Sequence, residues 1–218
     1  MPGVASTIDD LPRTIPVFPL SGCILLPCAR LPLNIFEPRY LDMCRDVMAG
    51  PRVIGMVQPI DPCDARARPP VYGTGCAGRI TAFKETDDGR FLITLTGLCR
   101  FRIAQELPQT KRYRTVAADY RGFAGDLEGP RACRLDRARL MPVLKSYLER
   151  QGLSADWRAI EQCAAPSLVN SLAMVCPFSS SEKQALLEAD DHDRRAELFL
   201  SLLEISRHEP TAPRGPCH

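Results

Sequence analysis

The chain has 218 residues, 45% of them hydrophobic and 25% charged, enough to bury a core of one or two domains. Its 28 basic and 26 acidic side chains leave a formal net charge of +2, so no long-range field of one sign draws it to DNA or to an anionic membrane. The opening MPGVASTIDDLPRT has no basic stretch leading into an apolar core, and no apolar run reaches the roughly eighteen residues of a spanning helix. Neither a signal peptide nor a membrane helix is expected, and the expected location is cytoplasmic.

Residues 15–58 read as strand, turn, strand, short helix and strand. Pro19, Pro27, Pro32 and Pro38 interrupt apolar runs where a central strand needs an amide donor, so each marks an edge or a turn. Pro38 fits the first helical position, and Tyr40, Leu41, Cys44, Val47 and Met48 recur at helical spacing until Gly50 and Pro51 end the helix. Residues 53–57 form a compact strand, and DPCDARARPP after it is a turn-rich charged loop expected to be exposed. Residues 78–86 and 90–98 make a hairpin around Asp87-Asp88-Gly89, because Asp-Gly supplies the positive φ of a tight turn. Strands at 100–104 and 113–120 complete the sheet.

The run GFAGDLEGP gains glycine and loses periodicity, which places a boundary there. The expected organisation is a flexible N-terminus at 1–12, a β domain at 13–121, a linker at 122–130, a helical bundle at 131–207 and a disordered tail at 208–218. In the bundle, 135–150 carries Leu140, Val143, Leu144, Tyr147 and Leu148 on one face, with Gly152 as a cap. Residues 157–175 are helical with Pro166 kinking or dividing them, and Asp190-Asp191 separates two further helices. Ser179 and Glu182 form a capping box before Leu186 and Leu187.

Chemistry-bearing motifs are sparse. Gly73, Gly75 and Gly78 spell G-x-G-x-x-G, but residues 79–83 read as strand where a dinucleotide site needs a helix N-terminus, so these are turn and bulge glycines. Ten cysteines occur without one C-x-x-C pair, which points to reduced structural thiols; Cys23 and Cys28 are the one spacing that could form a redox pair. The histidines, His192, His208 and His218, all lie near the C-terminus with no orienting carboxylate or apolar pocket in view. Lys84, Lys111, Lys145 and Lys183 read as solvated, which argues against a Ser-Lys dyad. No catalytic residue, cofactor or metal site is expected.

The stretch PVFPL leading through LPLNIFEPRY to the first helix resembles the N-terminal, substrate-binding domain of the ATP-dependent protease Lon. Gly78-Arg79-Ile80, the run 94–101, and the segments EKQALLE and RRAE resemble that family's later strands and closing helix, so the likeness spans about 13–206. No G-x-x-x-x-G-K-[ST] loop occurs, and the residues after Arg207 are too few for an ATPase or Ser-Lys peptidase domain. The resemblance implies an α+β fold: a PUA-like β barrel or curled sheet with one embedded helix, then a C-terminal helical bundle. It also implies a non-catalytic, stand-alone module that binds unfolded or tagged protein segments, with a separate ATP-dependent protease as a possible partner.

Ile35, Phe36, Arg39 and Tyr40 are the candidate peptide-binding residues, set against a structural role in which Phe36 and Tyr40 lock the first helix onto the barrel. Two other classes stand beside this reading. PUA folds bind RNA in other proteins, and Arg100, Arg102, Lys111, Arg112, Arg114 and Arg121 interleave with Phe101 and Tyr113; strand alternation sends several of these arginines to different faces, and 26 acidic residues nearly cancel the basic charge. An enzyme of unrecognised type would use a reactive thiol, with Cys23, Cys28 and Cys63 as candidates.

Overall fold

The computed structural model describes residues 7–64, 66, 68–129 and 132–206; His208, His218 and the expected tail lie outside them. Six strands run β1 (Thr14–Pro19), β2 (Arg30–Ile35), β3 (Val53–Val57), β4 (Thr74–Glu85), β5 (Phe91–Glu106) and β6 (Arg114–Asp119). Helix α1 (Pro38–Met48) lies between β2 and β3, and α2 (Arg137–Arg150), α3 (Trp157–Gln162), α4 (Ala165–Val175), α5 (Ser180–Glu188) and α6 (His192–Ser206) come after the sheet. The fold is α+β.

The sheet order is β2-β5-β4-β3-β1-β6, with β6 pairing back onto the C-terminal half of β5. Strands β1, β3, β4, β5 and β6 thereby close into a distorted ring, while β2 lies on the N-terminal half of β5 outside it. Two sequence strands, 90–98 and 100–104, are one 16-residue strand, and its length lets β5 serve the ring at one end and an outer arm at the other. The β4–β5 turn is built as expected, with Gly89 at φ 79°.

Ring closure requires a filled interior. Ile15, Val17, Val53, Val57, Ala77, Cys99, Phe101, Val116 and Tyr120 supply it. The Phe101 ring occupies the space that side chains at 55 and 75 would need: a Cβ on Gly55 would sit 2.8 Å from it and one on Gly75 2.9 Å. Gly75 of the G-x-G-x-x-G is therefore a packing glycine inside strand β4 rather than the turn or bulge glycine expected. Leu11, 3% exposed, joins this interior, Tyr120 donates its hydroxyl to the Pro12 carbonyl, and Ile8–Asp10 form a 3₁₀ turn. Within the segment 1–12, expected to be flexible, the part from Thr7 onward lies against the ring, where Leu11 has an apolar interior to enter.

A second, larger core lies between the outer faces of β1, β3 and β4 and the helices, running without a break from Phe18 and Met56 to Leu144, Phe178 and Phe199. Strand β3 is buried on both faces for this reason, Val53 and Val57 facing the ring and Ile54 and Met56 the helices. The helix starts reflect local chemistry. Asp136 and Asp156 accept from the amides of Arg139 and Ala159, and Ser179 and Glu182 form the capping box. Pro166 begins a helix, dividing α3 from α4.

Polar side chains weld the bundle to the sheet. Arg100 pairs with Asp126 at 2.9 Å, the two side chains 6% and 8% exposed, and donates to the carbonyls of Leu187 (3.1 Å) and Ala189 (2.6 Å) at the end of α5. Residues 122–128, expected within a linker, thus contain a buried ion-pair partner and lie in 3₁₀ turns spanning Arg121–Glu128. Gln184 donates to the Thr74 carbonyl and Gln58 to that of Ser180. Asn170 donates to the Pro27 carbonyl and accepts from Arg195, which is itself 2% exposed. Lys183 is 5% exposed, contrary to its solvated reading, and donates to the carbonyls of Gly22 and Met174 at 2.8 Å each. Burial lowers its pKa from the ordinary value.

Candidate functional site

The four residues singled out in the sequence divide around the start of α1. Ile35, the last residue of β2, is 2% exposed and belongs to the large core. Tyr40 is buried with its ring centroid 4.3 Å from that of Phe18, the packing role expected of it. Phe36 does the opposite: at 64% exposure it projects from the β2–α1 corner and locks nothing. Arg39 is half-buried, its guanidinium 2.8 Å from Glu37 and 4.6 Å from the Tyr40 ring centroid. Pro38 opens the helix, so the chain turns sharply here and sends neighbouring side chains to different surfaces.

One of those surfaces is the outer arm. Beyond the ring, β4, β5 and β2 form a three-stranded sheet in which Thr94 lies between Pro32 and Ala82, and Leu92 between Asn34 and Lys84. Period-two alternation puts these six residues on one face, away from Phe91, Ile93 and Leu95, which are buried on the other. Leu92 is 43% exposed and Phe83, stacked at 4.9 Å on Phe91 at the arm's margin, is 40% exposed. They border a shallow, mainly apolar hollow of about 490 Å³. β2 has no partner on its far side, and Pro32 in it has no N–H to present there. The alternation of Leu31, Leu33 and Ile35 with Pro32 and Asn34 was the signal for a two-faced edge strand.

The second surface is a cleft of about 190 Å³ between α1, the 59–69 loop and the segment before β6. Arg39, Arg66, Arg68, Arg112 and Arg114 line it together with Tyr40, Tyr113 and one carboxylate, Asp64. Arg68 and Arg114 both grip Glu106, with Arg114 Nη2 at 2.6 Å, and Arg66 pairs with Asp64. The Arg66 guanidinium beside it holds the Asp64 carboxyl down at about 2, and Arg114 and Arg68 lower that of Glu106. Tyr113 donates to Asp46 at 2.6 Å, and burial first, then that carboxylate, pushes the phenol up.

The arginine run weighed as a nucleic-acid surface is thus dispersed. Arg100 is buried, Arg121 pairs with Asp119 on another face, and only Arg112 and Arg114 reach the cleft. The contributors missed in the sequence are Arg66 and Arg68; the repeated R-x-R spacing at 66/68 and 112/114, which in extended chain puts both side chains on one side, was the available signal.

Catalytic chemistry finds little support in the cysteines. Eight described cysteines are free, including Cys23 and Cys28, while Cys63 is disulfide-bonded, against the expectation of reduced thiols throughout. Burial raises the pKa of Cys23 and, together with Asp126, that of Cys28, the opposite of nucleophile activation. Among the described residues no group of three or more His, Cys, Asp or Glu side chains could hold a metal, and no helix is long and apolar enough to cross a membrane.

The model of the family described as the ATP-dependent protease La (LON) substrate-binding domain matches residues 14–204. Lon protease 2 of Myxococcus xanthus is 27% identical over 91% of this chain but only 24% of its own length, and the Lon protease of Anaeromyxobacter dehalogenans 25% identical over 94% and 25%. The chain therefore spans about a quarter of the length of the curated relatives it matches. Among solved structures, a Lon N-terminal domain protein from Xanthomonas campestris superposes with a TM-score of 0.60 at 26% identity, covering 86% of this chain and 97% of that one. The N-terminal domain of a Mycobacterium avium complex Lon protease superposes at 0.58 with 16% identity, a likeness of fold. With the family model matched over nearly all of its sheet and helices, the chain belongs to the LON substrate-binding domain family.

Proposed function

We propose that this protein is a non-catalytic recognition module that binds unfolded or tagged polypeptide segments in an ATP-independent equilibrium. The observation that carries the reading is the outward face of the β2–β5–β4 arm, where Leu92 stands exposed over an apolar hollow, with Phe83 exposed at the arm's margin and Phe36 projecting just past the end of β2. Apolar side chains exposed on this face and at its margin favour a polypeptide ligand over solvent. Side-chain burial on that face is the favoured mode, since Pro32 removes one of the donors that strand addition along β2 would use. Of the four candidates, Phe36 belongs to the recognition surface, and Ile35 supports it from below. Family membership supports a substrate-recognition role, and the matched relatives align through the substrate-binding portion of their length. The module acts as an adaptor or quality-control factor that hands clients to a separate ATP-dependent protease in the cytoplasm.

The test uses a permanently unfolded, carboxymethylated polypeptide and fluorescence anisotropy. Leu92→Asp puts a charge in the hollow and weakens binding by about tenfold, from lost apolar burial plus the cost of desolvating the carboxylate. Leu153→Asp, an equally exposed leucine between α2 and α3, leaves affinity unchanged. Equal affinity of the Leu92 variant and the parent would reject the arm as the binding face.

A further inference from the structure

We propose that the arginine-lined cleft beside α1 is a second binding site, specific for an acidic polypeptide segment, whose carboxylates are taken by Arg39, Arg66 and Arg112 and by the hydroxyl of Tyr40. This site is independent of the apolar arm. Its lining holds five arginines against one aspartate. Two of the five, Arg68 and Arg114, are tied down by Glu106, and Arg114 also donates to the Pro69 carbonyl at 2.7 Å. They form a fixed cationic floor. Arg112 is different: its side chain is 74% exposed and its nearest described carboxylate, on Asp42, is 3.9 Å away.

Tyr40 supplies an independent observation. It is only 6% exposed and lines the cleft, and its hydroxyl makes no hydrogen bond among the described residues while remaining open to solvent rather than sealed in. A phenol that is open only at its hydroxyl presents that group to whatever occupies the cleft. Tyr113, across the same cleft, has one in Asp46 at 2.6 Å. A ligand carboxylate in the cleft gives Tyr40 the same kind of partner, in the field of Arg39 and Arg114, whose charges act on its hydroxyl. Arginine forks match carboxylates in pairs, and the walls of Pro19, Pro59 and Pro69 offer no competing amide donors.

An acidic peptide fits better than a nucleic acid. Asp42, Asp46, Asp64 and Glu106 stand among the arginines and repel a continuous phosphate backbone, while a peptide can place its carboxylates between them. The two tyrosine rings are buried at their faces, Tyr40 on Phe18, and offer no platform for stacking bases.

The experiment is fluorescence anisotropy with two labelled octapeptides, one alternating Glu and Ser and the other Lys and Ser, in low and in physiological salt. The full chain binds the acidic peptide alone, and more weakly as salt screens the pairing. Arg66→Glu with Arg112→Glu weakens binding by about tenfold or more, two attractions having become repulsions. Arg121→Glu, the same charge reversal at a single side chain 83% exposed on another face, leaves it unchanged. Tyr40→Phe removes only the hydroxyl and weakens binding about tenfold or more, the worth of one hydrogen bond to a charged group, so it tests the site even if the double variant folds poorly. Equal binding of the two peptides, an equal loss in the Arg121 variant, or displacement of the acidic peptide by a lower concentration of single-stranded oligouridine would each overturn the assignment.

Discussion

Arg100→Met isolates the contact on which the joining of sheet and bundle most depends. Arg100 donates through Nε and Nη2 to the two oxygens of Asp126 at 2.9 Å each, and its own backbone amide donates to Asp126 as well. Its remaining donors reach the Leu187 and Ala189 carbonyls, which end α5 without partners in their own helix. Methionine keeps the apolar stem but leaves the Asp126 carboxylate, 8% exposed, without its counter-ion. Breaking one half of a buried pair costs about 3–5 kcal/mol, a large share of the roughly 5–15 kcal/mol of an ordinary domain. Asp126→Leu in addition removes the stranded charge, so the double variant is more stable than the sum of the single losses by at least about 1.5 kcal/mol.

Urea unfolding reads this directly. Trp157 is the only tryptophan and packs at the edge of the large core, so its fluorescence reports the helices while far-UV circular dichroism reports the whole chain. Because that core is continuous from Phe18 to Phe199, both probes give one coincident transition in the parent and in Arg100→Met, with an unchanged slope and a lower midpoint. A loss below about 1 kcal/mol would show that Asp126 finds other solvation and that the ion pair is not the weld. Separated transitions would show that the bundle is held by Arg100 rather than by the shared apolar core.

Gly97→Ala places a Cβ 2.1 Å from the Leu26 carbonyl oxygen, where 23–29 crosses β5, and costs about 3 kcal/mol or more by the same denaturation measurement. Cys28→Gly does the reverse: Cys28 is exposed with φ 64°, so glycine relieves the left-handed backbone and raises stability by about 1 kcal/mol, whereas Cys28→Ala does not. His192 is half-buried, and its pKa lies below the ordinary 6.5 through burial, then Arg195 and Arg100, with Asp126 and Asp191 opposing. The unfolded chain then takes up the proton first, so stability falls as pH drops below about 6.5 and levels once the folded form also protonates; His192→Gln flattens that part of the thermal-midpoint profile.

What the sequence revealed and what it concealed divide by the range of the interactions concerned. The capping box at Ser179 and Glu182, the Gly89 turn, the start of α4 at Pro166 and the α5–α6 break after Glu188 are decided within a few residues, and each was readable. Lys183 misled, and the burial of Gln184 and Arg195 went unread, because their partners, Gly22, Thr74 and Asn170, come from 25 to 161 positions away. A polar residue in a helical run signals solvent only if no distant carbonyl awaits it, and residue types alone do not reveal such acceptors.

The same distinction explains the candidate site. The turn at Pro38 was legible, and so was the helix that bears Arg39 and Tyr40 just after Phe36; the division of the three between an apolar arm and a cationic cleft was not, because the β4–β5 arm on one side and Pro59, Asp64, Arg66, Arg68 and Pro69 on the other define the two surfaces. Tyr40 shows the consequence. Its packing on Phe18 was implied by helical spacing, but its hydroxyl acquires meaning only beside Arg66, Arg112 and Arg114, brought there by segments 26 to 74 residues downstream. A residue with an ordinary structural role in the sequence can thus carry a ligand-facing group, and Tyr40→Phe separates the two roles: the ring keeps the core intact and thermal stability nearly unchanged, while the lost hydroxyl weakens acidic-peptide binding. A large fall in stability with unchanged binding would instead confine Tyr40 to the core.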